Sequence, residues 1–92
     1  MQWKLFADLA EVAGQKRVTV DLEGEATVAD ALEALLDGHP ALRDRVLDAD
    51  GELAEHINVL RNGENVFAAG SGLETAVAAD DELAMFPPVS GG

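Results

Sequence analysis

Thr27-Val28-Ala29-Asp30-Ala31-Leu32-Glu33-Ala34-Leu35-Leu36-Asp37-Gly38 is the stretch on which the fold turns. Thr27 followed three residues later by Asp30 is a capping-box pattern in which Asp takes the place of the usual Glu. Val28, Ala31, Leu32, Leu35 and Leu36 recur at helical spacing, while Asp30, Glu33, Ala34 and Asp37 fall on the remaining surface. Gly38 stands where the chain should leave the helix, and Pro40 lies just beyond. One amphipathic helix therefore needs one apolar sheet face to cover, and that sheet has to come from the segments on either side.

Upstream, Trp3 to Asp8 is a short apolar run that reads as a strand buried on both faces or nearly so. Leu9 to Ala13 makes one helical turn closed by Gly14, and Arg17 to Leu22 alternates with Val18, Val20 and Leu22 on one side, a half-buried strand antiparallel to the first. Downstream, Ala41 to Leu47 suggests a second short helix and Asp48 to Gly51 a turn. His56 to Arg61 reads as a strand, Asn62-Gly63 as a two-residue hairpin turn and Glu64 to Phe67 as the returning strand. Ala68 to Ala79 is the least readable segment, with room for a turn of helix. Leu83 to Phe86 is a last strand, stopped by Pro87-Pro88. A helix set between early and late strands suits a crossover that lays the first and last strands parallel in the middle of a mixed sheet. The expected fold is thus α+β, a β-grasp with a mixed sheet packed against one main helix: residues 1–86 form the domain and residues 87–92 a flexible tail.

The 92 residues allow one domain with a modest core. Without cysteine the chain has no disulfide, thiolate metal site, iron–sulfur cluster or cysteine nucleophile, and cannot itself carry a thioester. Eighteen Asp plus Glu against six Lys plus Arg give a formal charge of −12, which argues against nucleic acid and anionic membranes as partners. The opening residues lack the pattern of a signal peptide and no stretch has the length of a membrane helix, so the expected location is cytoplasmic. Strong acidity with only two lysines also fits a chain adapted to concentrated salt, where self-repulsion is screened over ~3 Å at 1 M rather than ~8 Å. An ordinary acidic domain is the alternative, and a melting temperature that does not rise between dilute buffer and molar potassium chloride would favour it.

Pro87-Pro88-Val89-Ser90-Gly91-Gly92 is the most informative stretch for function. It begins stiffly after a core strand and, extended, reaches up to ~20 Å, far enough for its last carboxylate to enter another protein's pocket. Gly91 and Gly92 have no side chain to obstruct a narrow channel or an approaching nucleophile. A carboxylate is ionised and inert as an acyl donor until activated. Adenylation by a separate enzyme would make it electrophilic, after which sulfide gives a thiocarboxylate and a lysine amine gives an isopeptide bond. Phe86, Val89 and Leu60 are candidates for an apolar patch beside the tail where such an enzyme docks, against the alternative that Phe86 and Leu60 fill the core. Lys4 and Lys16 are the internal amines open to self-conjugation, Lys4 being the candidate acceptor.

Trp3 to Asp8, His56-Ile57-Asn58-Val59-Leu60-Arg61-Asn62-Gly63-Glu64 and the ending from Asp81 through Phe86-Pro87-Pro88-Val89-Ser90-Gly91-Gly92 closely resemble the small archaeal modifier proteins of haloarchaea. These stand with the small subunit of molybdopterin synthase (MoaD) and the thiamine sulfur carrier (ThiS) among ubiquitin-like β-grasp proteins. The resemblance implies a protein modifier and sulfur carrier rather than an enzyme. The resemblance further implies adenylation at Gly92 by a ubiquitin-activating-type enzyme, followed by conversion to a thiocarboxylate for molybdopterin synthesis or linkage to target lysines. It implies no cofactor and a monomer, with Pro87, Pro88, Val89 and Ser90 beside Phe86 and Leu60 on the partner-binding stretch. The alternative is a dedicated small subunit working inside the large subunit of molybdopterin synthase, with no tagging. Two features depart from the family. Asp80 stands where a Gly usually precedes the last strand, a substitution eased by the readiness of Asp to enter the left-handed region. Asn65 to Ala79 also looks longer than usual.

Other candidates are weaker. Asp48, Asp50 and Glu52 around Gly51 lack the spacing of a calcium loop and read as a solvated turn. His39 and His56 have no ligand spacing. Gly70-Ser71-Gly72 lacks the lysine of a phosphate loop and reads as a flexible connection. Ser90 has no base held beside it.

Overall fold

The computed structural model describes residues 1–22, 24–54 and 57–87. Its centre is a parallel pair, β1 (Gln2–Leu5) beside β7 (Glu82–Phe86), in register Gln2 with Glu82 through Leu5 with Met85. β2 (Arg17–Thr19) lies antiparallel outside β1, and β4 (Asn58–Arg61) with β5 (Glu64–Asn65) outside β7, giving the order β2-β1-β7-β4-β5. First and last strands are central and parallel, as the crossover argument requires. The fold is a ubiquitin-like β-grasp.

Alternation on these strands sends Trp3, Leu5, Val18, Val59, Leu83 and Met85 to one face, all buried. Helix α2 (Val28–Gly38) covers that face with Val28, Ala31, Leu32, Leu35 and Leu36. Its capping box is complete: the Asp30 amide donates to Thr27 Oγ1 at 3.3 Å and the Thr27 amide to Asp30 Oδ2 at 3.0 Å. Trp3 anchors strand to helix, since its indole Nε1 donates to the Ala31 carbonyl at 3.0 Å and the buried ring keeps no unpaired polar atom.

Several boundaries differ from the sequence reading, each for a local reason. β1 stops at Leu5, and its outer face (Gln2, Lys4) is only half-buried, so the strand is not buried on both sides. Ala7 then turns the chain at φ 55°, ψ −133°, a costly conformation for a residue with a Cβ, into helix α1 (Asp8–Ala13). Gly14 closes α1 in the left-handed region, its amide donating to the Ala10 carbonyl at 2.9 Å. β2 is shorter than its alternating pattern, although Val20 stays buried and its amide donates to the Met1 carbonyl at 3.0 Å. The expected helix after Pro40 divides into a 3-10 turn (Pro40–Leu42) and α3 (Arg43–Val46).

The expected strand Glu64 to Phe67 ends at Asn65. The Asn65 side chain accepts the Phe67 and Ala68 amides at 2.8 and 3.3 Å and so starts a helical turn, α4 (Val66–Ala69), instead. A second, two-stranded sheet pairs β3 (Ala26–Thr27) with β6 (Ala76–Val77), which the sequence did not announce. Asp80 is absent from the positive-φ residues, so its side chain needs no left-handed tolerance.

Candidate functional site

The sheet face turned away from α2 carries Lys4, Leu60, Ala84 and Phe86. Register places Lys4 beside Ala84 and Ala84 beside Leu60, a row across three strands whose small central member lowers the floor between two longer neighbours. Phe86, at the end of β7, meets Phe6 edge to face, with ring centroids 6.1 Å apart and planes at 87°. Phe6 is 46% exposed because the turn at Ala7 holds it outward from the end of β1. Lys4, Phe6, Ala7, Leu60, Phe86 and Pro87 thus line an apolar groove of about 650 Å³ at the end of β7.

At one end of this groove a single carboxylate faces two cations. Glu82 Oε1 lies 3.4 Å from Lys4 Nζ, and Glu82 Oε2 lies 4.0 Å from Arg17 Nη1. An apolar surface with locally paired charges, on a protein of net charge −12, is suited to contact with another protein.

A hydrogen-bonded brace fixes where β7 starts. Asn62 and Gly63 take φ values of 49° and 90°, the turn expected of Asn-Gly. The Asn62 amide donates to the Glu82 carbonyl at 2.8 Å, and the Glu82 amide to Asn62 Oδ1 at 3.0 Å. Asp81 accepts from the Ala78 amide at 2.7 Å, Asn62 Nδ2 at 3.0 Å and Arg61 Nε at 3.0 Å. Led by the Ala78 bond, then Asn62 and Arg61, these donors hold its carboxyl down at about 2, against an ordinary 3.8.

A model of the ThiS family matches residues 3–92. The chain belongs to the ThiS family. Small archaeal modifier protein 1 of Haloferax volcanii is 64% identical over 92 residues, the full length of both chains. Its crystal structure superposes with a TM-score of 0.90, covering 100% of this chain and 98% of that one. Sulfur carrier protein CysO of Mycobacterium tuberculosis is 35% identical over 81 residues, 86% of this chain and 83% of that protein.

Of the residues named for this ThiS-family chain from its sequence, Leu60, Phe86, Pro87 and Lys4 come together in the groove. Phe86 and Leu60 are half-buried, between the core and patch alternatives. Pro88, Val89, Ser90, Gly91 and Gly92 lie outside the described residues, as does His56. Lys16 is exposed on the turn before β2. Phe6, Ala7 and Ala84 were missed. Alternation from Lys4 points Phe6 outward, a signal masked by the apolar character of its neighbours. No sequence signal marks Ala7, whose role is a backbone angle.

The remaining motifs have structural roles. Asp48 Oδ1 accepts the Asp50 and Glu52 amides at 2.8 and 3.1 Å, and no metal-holding cluster is found among the described residues. The His39 amide donates to the Leu35 carbonyl at 3.0 Å at the end of α2. Gly70-Ser71-Gly72 is packed: a Cβ on Gly70 would lie 2.9 Å from Thr75 Oγ1, which also accepts the Ser71 amide at 2.9 Å.

Proposed function

We propose that this chain is a ubiquitin-like modifier and sulfur carrier whose Gly92 carboxylate is the acyl group and whose folded domain is the handle by which an activating enzyme holds it. The observation that carries this reading is the apolar groove formed by Phe6, Leu60, Ala84 and Phe86 at the base of a segment ending in Gly91-Gly92. The names of the modifier and sulfur-carrier relatives support it.

In the proposed sequence the enzyme docks on the groove while the tail enters its active site. The Gly92 carboxylate attacks the α-phosphorus of ATP, forming an acyl adenylate and releasing pyrophosphate. Attack by hydrosulfide expels AMP, and loss of the remaining proton leaves a thiocarboxylate. Attack by a target lysine amine expels AMP, loses a proton and leaves an isopeptide bond. Gly91 and Gly92 give the nucleophile a path with no Cβ beside the carbonyl. Because the first step consumes ATP, the reading places the protein in the cytoplasm, as a monomer until conjugated. Lys4 is the proposed acceptor for self-conjugation, a step that first separates it from Glu82.

Mass spectrometry of the protein isolated from its host tests the reading. Sulfur in place of oxygen at the terminus marks the carrier, and lysines of other proteins bearing the Asn62–Gly92 peptide, the remnant that trypsin leaves by cutting after Arg61, mark the modifier. Thiocarboxylate without remnants would instead fit a dedicated small subunit of molybdopterin synthase. Deleting Gly91 and Gly92 should change stability by less than ~0.5 kcal/mol and abolish both products; a truncated chain that still conjugates would refute the assignment.

A further inference from the structure

On the α2 side of the molecule, behind the sheet, lies a second groove of about 600 Å³ lined by Leu32, Leu53, Phe67 and Leu73, with Glu33 and Glu52 on its walls. Phe67 is 51% exposed, more than any other large apolar side chain among the described residues. Its position is built rather than incidental. Asn65 turns the chain into α4, and Gly72, at φ 61°, leaves room against which the ring rests: a Cβ there would lie 3.2 Å from Phe67 Cδ1. The packed Gly70-Ser71-Gly72 turn thus presents an aromatic side chain to a groove.

The charge of the groove is one-sided. Among the described residues no Lys or Arg lines it. Arg43 reaches Glu33 only at 3.8 Å while bonding Asp37 at 3.1 Å, and Glu52 is exposed on a turn stiffened by Asp48. Leu47 and Leu53 on one wall already pair with each other in a single β-bridge and the other named walls are side chains of helices and turns, so an incoming segment is held by apolar anchors and ion pairs and not by strand addition.

We propose that this groove receives a basic amphipathic helix of a second protein, its apolar side chains against Phe67, Leu53 and Leu73 and its Lys or Arg residues facing Glu33 and Glu52. Because the site is on the opposite side of the sheet from the tail-side groove, both faces can be occupied at once, and the chain can be bound here whether its terminus is free or joined to something else. The proposal does not rest on the chemistry assigned to Gly92.

The test is an NMR titration of the full-length isotope-labelled protein. The probe is a synthetic leucine–lysine peptide with apolar residues at helical spacing, and its scrambled isomer of equal charge is the control. Shifts should concentrate on Leu53, Phe67 and Leu73, and the scrambled isomer should bind at least about tenfold more weakly, as should Phe67→Ala toward the original peptide. Glu52→Lys, an exposed change on the rim, should also weaken binding, whereas Leu60→Gln on the far side of the sheet should not. Absence of saturable binding, equal binding of the two peptides, shifts centred on Leu60 and Ala84, or full affinity in both Phe67→Ala and Glu52→Lys would each overturn the proposal.

Discussion

The two faces of the central sheet use the same strands and differ by one residue of register. On the α2 side, Trp3, Leu83 and Met85 have no accessible surface. On the other side, Lys4, Ala84 and Phe86 alternate with them and stay half-buried around a groove. The difference teaches a division of labour. A covered face gains its free energy from dry packing and is sensitive to loss of volume, whereas a face left open contributes little to stability and keeps apolar surface accessible.

The hardest blow to the covered face should come from truncating α2. Leu35→Ala removes a side chain with no exposure and should cost ~2–5 kcal/mol, read from denaturant unfolding. A near-neutral result would mean that the faces are not energetically distinct.

A smaller effect should come from the brace where both faces meet the tail's strand. Asp81→Asn keeps the shape but weakens bonds to Ala78, Asn62 and Arg61, and should cost about 1–3 kcal/mol at neutral pH. Because the native carboxyl is held at about 2, below its ordinary 3.8, it stabilises the fold above the ordinary value and ceases to as pH falls toward the native one. The stability gap between parent and variant should therefore be full above that ordinary value and close during acid titration toward about 2. A gap unchanged across that range would remove the carboxylate from the argument.

The least effect on stability belongs to the open face. Leu60→Gln should shift unfolding by no more than about 0.5–1 kcal/mol, while raising the KM of the activating enzyme for this protein. An unchanged KM would show that the groove is not where that enzyme docks.

Much of the covered face was legible, because burial imposes a period. Val28 through Leu36 announced the helix, Val18 and Val20 the inward side of an edge segment, and Asn62-Gly63 a turn that the backbone angles bear out. The open face was only partly legible. Leu60 and Phe86 were named for their place beside the tail, but Phe6 was hidden in an apolar run and Ala84 has no chemistry of its own to flag it. The segment after Asn65 was misread because a side-chain cap, a short-range competitor of strand pairing, diverts it into a helical turn. Gly70 and Gly72 suggested flexibility when they in fact mark close packing against Thr75 and Phe67.

By itself, the sequence determined the β-grasp order of strands and helix, the position of the main helix and its cap, and a Gly91-Gly92 pair without side chains, since each follows from local pattern or local chemistry. Only the tertiary structure decided that Lys4, Leu60 and Ala84 form one row, that Phe6 meets Phe86, that Asp81 ties the hairpin to the last strand, and that a second groove opens behind α2. Those contacts join residues distant along the chain, and their geometry is fixed by strand register and packing, which no single stretch of sequence encodes.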